Sequence, residues 1–117
     1  MRLHHVGIAV EDLEEAKARY GLLGFGVVAE GETLLELLAP LGQDTPVGRF
    51  LVKRGPGLHH LAFATSRIEE ELARLKGVGA RLIDEVPRPG FGGHRVAFLH
   101  PGFGLGVLWE LVETEGA

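Results

Sequence analysis

Displaced by 55 residues, the chain matches itself without a gap over about 25 residues. His4-His5-Val6 falls on His59-His60-Leu61, Leu13-Glu14-Glu15 on Ile68-Glu69-Glu70, Ala18-Arg19 on Ala73-Arg74, and Val27-Val28 on Leu82-Ile83. A duplication of this kind limits the fold sharply. Two such repeats related by pseudo-twofold symmetry are expected to bring equivalent positions of the two copies together.

Both copies begin with the same alternation of elements. An apolar run, residues 3–10 or 58–65, has the length and composition of a buried strand. A helix follows. Leu13, Ala16 and Tyr20 share one face in the first copy; Ile68, Leu72 and Leu75 do so in the second, with Lys76 as the polar exception. Asp12 and Ser66 are the expected N-caps, each just before glutamates that suit a helix N-terminus. Gly24 and Gly79 stand where helices commonly end. Second strands are expected over 25–30 and 81–85.

Beyond this point the copies diverge. The second continues through a glycine- and proline-rich loop, 87–93, into strands at 94–100 and 106–112, giving βαβββ. The first passes directly to a last strand at 33–39. His5 lies 31 residues before Glu36, whereas His60 lies 50 before Glu110, so the first copy is 19 residues shorter and reads as βαββ, one strand short. The expectation is a single α+β domain over 1–117, with module one at 1–41, a linker at 42–57 and module two at 58–113. The turn-rich stretch 40–57 is expected to hold a short helical turn around Val47 to Val52, and the polar tail 113–117 to fray.

The same positions that recur also carry chemistry. His5 and His60 open the first strand of each copy. Glu36 lies between Leu35 and Leu37 in the last strand of the first copy, and Glu110 between Trp109 and Leu111 in that of the second. A carboxylate within an apolar strand is costly to bury unless it is paired or binds a cation. Here this happens twice, at equivalent places. With no cysteine among 117 residues, any metal must be held by His, Asp or Glu. Two imidazoles and two carboxylates suit a divalent ion such as Mn, Co, Ni, Zn or Fe(II). The plainer alternative is four side chains on the solvated face of their strands. His4 and His59, adjacent to the candidate ligands, must point to the opposite face and are assigned structural or surface roles.

Other features narrow the field. The formal net charge of −4 argues against nucleic acid as a partner. No apolar run approaches the roughly 20 residues that span a bilayer, and Met1 to His5 lack a secretory h-region, so a cytoplasmic protein is expected. Gly90 to Gly93 lacks the strand and helix context of a dinucleotide site. Ser66, the only serine, has no nucleophile elbow around it. Arg88 and Arg95 flank the glycine loop and either bind an anionic tail or are simply solvated. His94 either touches substrate or is an exposed strand residue.

Three longer stretches resemble the methylmalonyl-CoA epimerases of the vicinal oxygen chelate (glyoxalase/bleomycin resistance/dioxygenase) superfamily. They are Glu36-Leu37-Leu38-Ala39-Pro40-Leu41-Gly42 with Asp44-Thr45-Pro46, Arg81-Leu82-Ile83-Asp84-Glu85 with Pro87-Arg88, and Val96-Ala97-Phe98-Leu99-His100-Pro101 leading to Gly106-Val107-Leu108-Trp109-Glu110-Leu111. The paired openings His5-Val6-Gly7-Ile8 and His59-His60-Leu61-Ala62 resemble the superfamily more broadly.

The resemblance implies two βαβββ-type modules forming a cupped mixed sheet around one divalent ion (Co, Mn, Ni, Zn or Mg), held by His5, Glu36, His60 and Glu110. It implies movement of the α-proton of a small acyl-CoA, most simply methylmalonyl-CoA, through a metal-stabilised enolate, with Glu110 as one base. It also implies a homodimer. The alternatives are a glyoxalase-like isomerase or lyase and a non-catalytic small-molecule-binding member of the superfamily. The chain departs from the family in two places. The second base belongs to the turn and strand that the first copy lacks, where only Glu30 or Glu32 could substitute, and Gly102 replaces the family's basic residue after the His-Pro turn.

Overall fold

The computed structural model describes residues 1–23 and 34–115. Among these, six strands and three α-helices form a mixed α+β fold: β1 (Arg2–Ala9), α1 (Leu13–Gly21), β2 (Leu34–Leu38), α2 (Pro46–Arg54), β3 (Gly57–Thr65), α3 (Ile68–Gly77), β4 (Arg88–Pro89), β5 (Arg95–Leu99) and β6 (Leu108–Glu113), with a short 3₁₀ turn at Phe91–Gly93. Gly24, the expected strand at 25–30, and Glu30 and Glu32 lie outside the described residues. The chain divides into two compact units, His5–His59 and Met1–His4 with His60–Ala117.

In the His5–His59 unit, β1 and β2 run parallel, with Val6 opposite Leu35 and Ile8 opposite Leu37. Strand alternation puts Val6, Ile8 and Val10 on one face, where they pack with Leu35, Leu37 and with Leu13, Ala16 and Tyr20 of α1. Asp12 caps α1 as expected, accepting from the Glu15 amide at 3.1 Å. The stretch expected to hold one helical turn forms the nine-residue helix α2. Thr45 accepts from the Gly48 amide at 3.0 Å, Pro46 opens the helix, and Gly55 closes it with φ 75°. Gly48, a poor helix former, is required there: a Cβ would collide with the carbonyl oxygen of Gly42.

The other unit orders its strands β3-β6-β5-β4. β3 and β6 are parallel; β6–β5 and β5–β4 are antiparallel. One face packs Ala97, Leu99 and Leu111 against Ile68, Leu72 and Leu75 of α3. The opposite face carries Ala62, Val96 and Val112, with Phe98 beside them.

Three expectations for this unit require correction. Residues 81–85 form no strand; only Leu82 bridges to Leu99. The Ile83 and Asp84 amides both donate to the Phe98 carbonyl, and the Asp84 carboxylate accepts from the Phe98 amide at 2.8 Å. A side chain has taken the place of a ladder partner. The strand beside β5 is instead the two-residue β4, and Pro89, lacking an N–H, cannot extend it.

Ser66 is not the cap of α3. The flanking residue is Arg67, with no side-chain cap of its own; the Thr65 hydroxyl accepts from the Arg67 amide, and Glu113 accepts from the Ile68 amide at 3.2 Å. Nor does the tail fray from residue 113. Glu113 ends β6, and the Thr114 amide donates to Thr65 at 2.9 Å.

Glu113 therefore holds the helix N-terminus from a distant strand, and it also meets Arg95 through both carboxylate oxygens at 2.9 and 3.0 Å. The Arg95 guanidinium, then the Ile68 amide, hold its carboxyl below the usual range. A depressed carboxyl contributes stability above its unfolded pKa and loses it as pH falls through the folded value. Glu113→Gln is thus expected to lower Tm near neutral pH, and the gap to the unchanged protein should close as pH falls below the ordinary carboxylate range. Thermal melts between pH 3 and 7 measure this; a gap independent of pH would refute it.

Candidate functional site

Two parallel strand pairs build the same local arrangement. In β1–β2, Gly7 stands opposite Glu36; in β3–β6, Ala62 stands opposite Glu110. Each is two residues beyond a histidine. Side chains two apart share a face, so His5 lies on the face of Glu36 and His60 on the face of Glu110. In each case this is the face turned away from the helix packed on that ladder. His5 Nε2 is 3.5 Å from Glu36 Oε2, and His60 Nε2 is 3.2 Å from Glu110 Oε1.

The pairs differ in exposure. His60 and Glu110 have side chains only 7% and 11% accessible, and His5 is equally enclosed at 8%, but Glu36 is 36% accessible. The second pair is a buried imidazole–carboxylate couple; the first keeps one carboxylate at the surface.

The chemistry of the donors fits a divalent ion. Donors about 2.1 Å from one ion at a right angle stand roughly 3 Å apart, and each pair is close to that separation. Imidazole nitrogen with carboxylate oxygen is the donor set of borderline first-row ions.

Three of the other histidines make ring contacts. His59 packs edge-on against Phe50, with centroids 5.0 Å apart, and His4 against His94 at 6.1 Å. His94 also contacts the Glu113 carbonyl through Nδ1 at 3.1 Å, so it is half-buried structure rather than an exposed strand residue. Arg95 is engaged by Glu69 and Glu113. Arg88 behaves differently: its Nε lies 3.3 Å from Asp84, and its Cζ stands 5.0 Å over the Phe98 ring.

Phe98 is the residue that sequence reasoning passed over. It lies opposite Glu110 in the β5–β6 ladder, and its ring meets that of His60 edge-on at 6.4 Å. The signal was available, since Phe98 sits two residues from Val96 in a strand of known parity, but nothing local tied it to His60.

Two matched strand pairs thus each carry His and Glu at one register. The chain belongs to the glyoxalase/bleomycin resistance protein/dioxygenase superfamily, whose model matches residues 27–98. Within it the chain is homologous to methylmalonyl-CoA epimerases. The mitochondrial methylmalonyl-CoA epimerase of Bos taurus is 39% identical, over 97% of this chain and 74% of that protein. Uncharacterized protein YqjC of Bacillus subtilis is 38% identical, over 98% of this chain and 94% of that protein. A variant of Streptomyces coelicolor methylmalonyl-CoA epimerase, solved in complex with 2-nitronate-propionyl-CoA, has 34% identity and a TM-score of 0.89, covering 100% of this chain and 96% of that chain.

The fold is that of the epimerase structures, and the homology supports an isomerase of the epimerase kind. The first two alignments run over 130 and 131 positions, more than the 117 residues of the chain, so these relatives carry inserted residues that it lacks.

Proposed function

We propose that the chain is a metal-dependent epimerase that moves the α-proton of a small acyl-CoA, methylmalonyl-CoA before others, with His5, Glu36, His60 and Glu110 holding one divalent ion between them. The observation that carries this reading is the repetition of a His–Glu pair at the same strand register in both copies. His5, His60 and Glu110 are buried, and each has one ligand atom to offer; Glu36 adds a second carboxylate. When bound, the ion supplies positive charge for the thioester oxygen on which the enolate charge develops.

The chain's own residues do the rest. Glu110, whose carboxylate faces His60, takes the α-proton and returns it. His60, fixed on its edge by Phe98, keeps the carboxylate oriented. Apolar Ala62, Val96 and Val112 on the same face keep water from the carbanion. Epimerisation needs proton delivery on both faces of the carbon, and Glu30 or Glu32 is the proposed second base. A homodimer in the cytoplasm completes the reading, with the duplicated modules at 1–41 and 58–113.

One observation favours a second reading. The relatives carry residues that this chain lacks, and a chain without a second base would bind the thioester without inverting it. Incubation of methylmalonyl-CoA with the metal-loaded protein in deuterated water separates the two. Deuterium incorporation at the α-carbon of a single epimer with inversion of its configuration, abolished by chelation, is the expected result; one base alone would exchange the proton with retention. Exchange with retention, or tight binding of the thioester without exchange, would overturn the epimerase reading, the latter in favour of the binding protein.

A further inference from the structure

We propose that Arg88 is the group that recognises an anionic oxygen of the ligand, carboxylate or phosphate, and so selects charged acyl thioesters; this rests on the acyl-CoA reading above. The face on which Arg88 lies follows from register. It stands opposite Val96 in the β4–β5 ladder; Val96 stands opposite Val112 and Phe98 opposite Glu110. Partners in a ladder share a face, as do residues two apart in a strand. Arg88, Val96, Phe98, Val112, Glu110 and His60 are therefore all on one side of these strands, the side away from α3.

The head group is held in place. Its Cζ stands over the Phe98 ring, 5.0 Å from the centroid, and Asp84 meets Nε at 3.3 Å. Asp84 is itself fixed, because it accepts from the Phe98 amide at 2.8 Å. These contacts engage Nε and place the cationic centre over the ring. The two terminal nitrogens have no protein acceptor among the described residues, and the side chain is 54% accessible. A planar fork held at Nε and over an aromatic ring, with its terminal donors open, is pre-organised for a bidentate oxyanion.

The other arginine beside the glycine loop shows the contrast. Arg95 is paired with both Glu69 and Glu113. The Phe98 ring is the shared element of the site: His60 touches it on one side and Arg88 on another.

Three ligands separate the two sources of the oxyanion: methylmalonyl-CoA carries carboxylate and phosphates, methylmalonyl-pantetheine only the carboxylate, and propionyl-CoA only the phosphates. Their dissociation constants are measured by calorimetry for the metal-loaded protein and for Arg88→Gln and Arg88→Lys, alongside kcat and KM for α-proton exchange. Arg88→Gln should weaken methylmalonyl-CoA about ten- to a hundredfold, the worth of a hydrogen bond to a charged group. Its kcat should change far less than its KM. Arg88→Lys, which keeps the charge but loses the fork, should fall between. If the carboxylate is the target, methylmalonyl-pantetheine weakens equally and propionyl-CoA does not; if a phosphate is, the reverse holds.

Arg88→Gln binding all three ligands within twofold of the unchanged protein overturns the proposal. An unchanged protein that binds the thioesters but exchanges no proton removes the catalytic reading alone and leaves the Arg88 comparison decisive. One that binds none of the three removes both.

Discussion

Replacing Glu110 by glutamine is expected to slow α-proton exchange by about two to four orders of magnitude, the range a positioned general base contributes. The substitution keeps the side chain's size and one neutral oxygen donor but removes the group that takes the proton. Glu110 is buried beside His60, with Ala62, Val96 and Val112 on the same face. No bulk water stands ready to replace it. Metal content should be measured on the same sample, so that loss of the base is separated from loss of a ligand. Exchange within a few-fold of the unchanged protein, at full metal occupancy, would remove Glu110 from the chemistry.

Leu99→Ala is expected to produce the largest loss of stability, about 2–5 kcal/mol. Leu99 is fully buried and packs in the cluster that joins α3 to β5 and β6, among Ile68, Leu72, Leu75 and Leu111. Its truncation removes apolar burial and opens a cavity in a region where Leu111 and Ile68 are themselves fully enclosed and have little room to collapse. Against a total stability of roughly 5–15 kcal/mol, this is a large fraction. Urea denaturation followed by circular dichroism would show it as a lower midpoint at an unchanged slope. A midpoint shift worth under about 1 kcal/mol would mean that the cluster is not the core of this unit.

The parts of the fold that were legible in the sequence are those fixed by the duplication and by local chemistry. The 55-residue displacement pairs His5 with His60, and the structure returns that offset as register: Gly7 faces Glu36 and Ala62 faces Glu110. The Asp12 cap was legible because a cap and its target lie three residues apart. Helix α2 was legible in part. Thr45-Pro46 and Gly55 mark its ends, but Gly48 in its middle argues against a helix until the close approach of Gly42 is seen.

What stayed hidden depends on contacts distant in sequence. Glu113 serves the N-terminus of α3 from 45 residues away. Asp84 replaces a strand partner of Phe98, 14 residues on. Arg88 and Arg95 look alike on either side of the glycine loop, and only tertiary structure separates the arginine bound by two carboxylates from the one with open donors. Neither the propensity nor the periodicity of a short window contains those pairings.

The central claim is that two His–Glu pairs, one from each copy, serve a single ion. Metal stoichiometry tests this most directly. The protein is loaded with Co(II) or Mn(II), freed of excess by gel filtration and analysed for metal, together with His5→Ala and His60→Ala. One ion per chain is expected for the unchanged protein, and each single variant should lose it, because each removes a donor from the same site. A content of two ions per chain, with each variant losing only one, would show two independent sites. Unchanged metal content in either variant would contradict the shared centre outright.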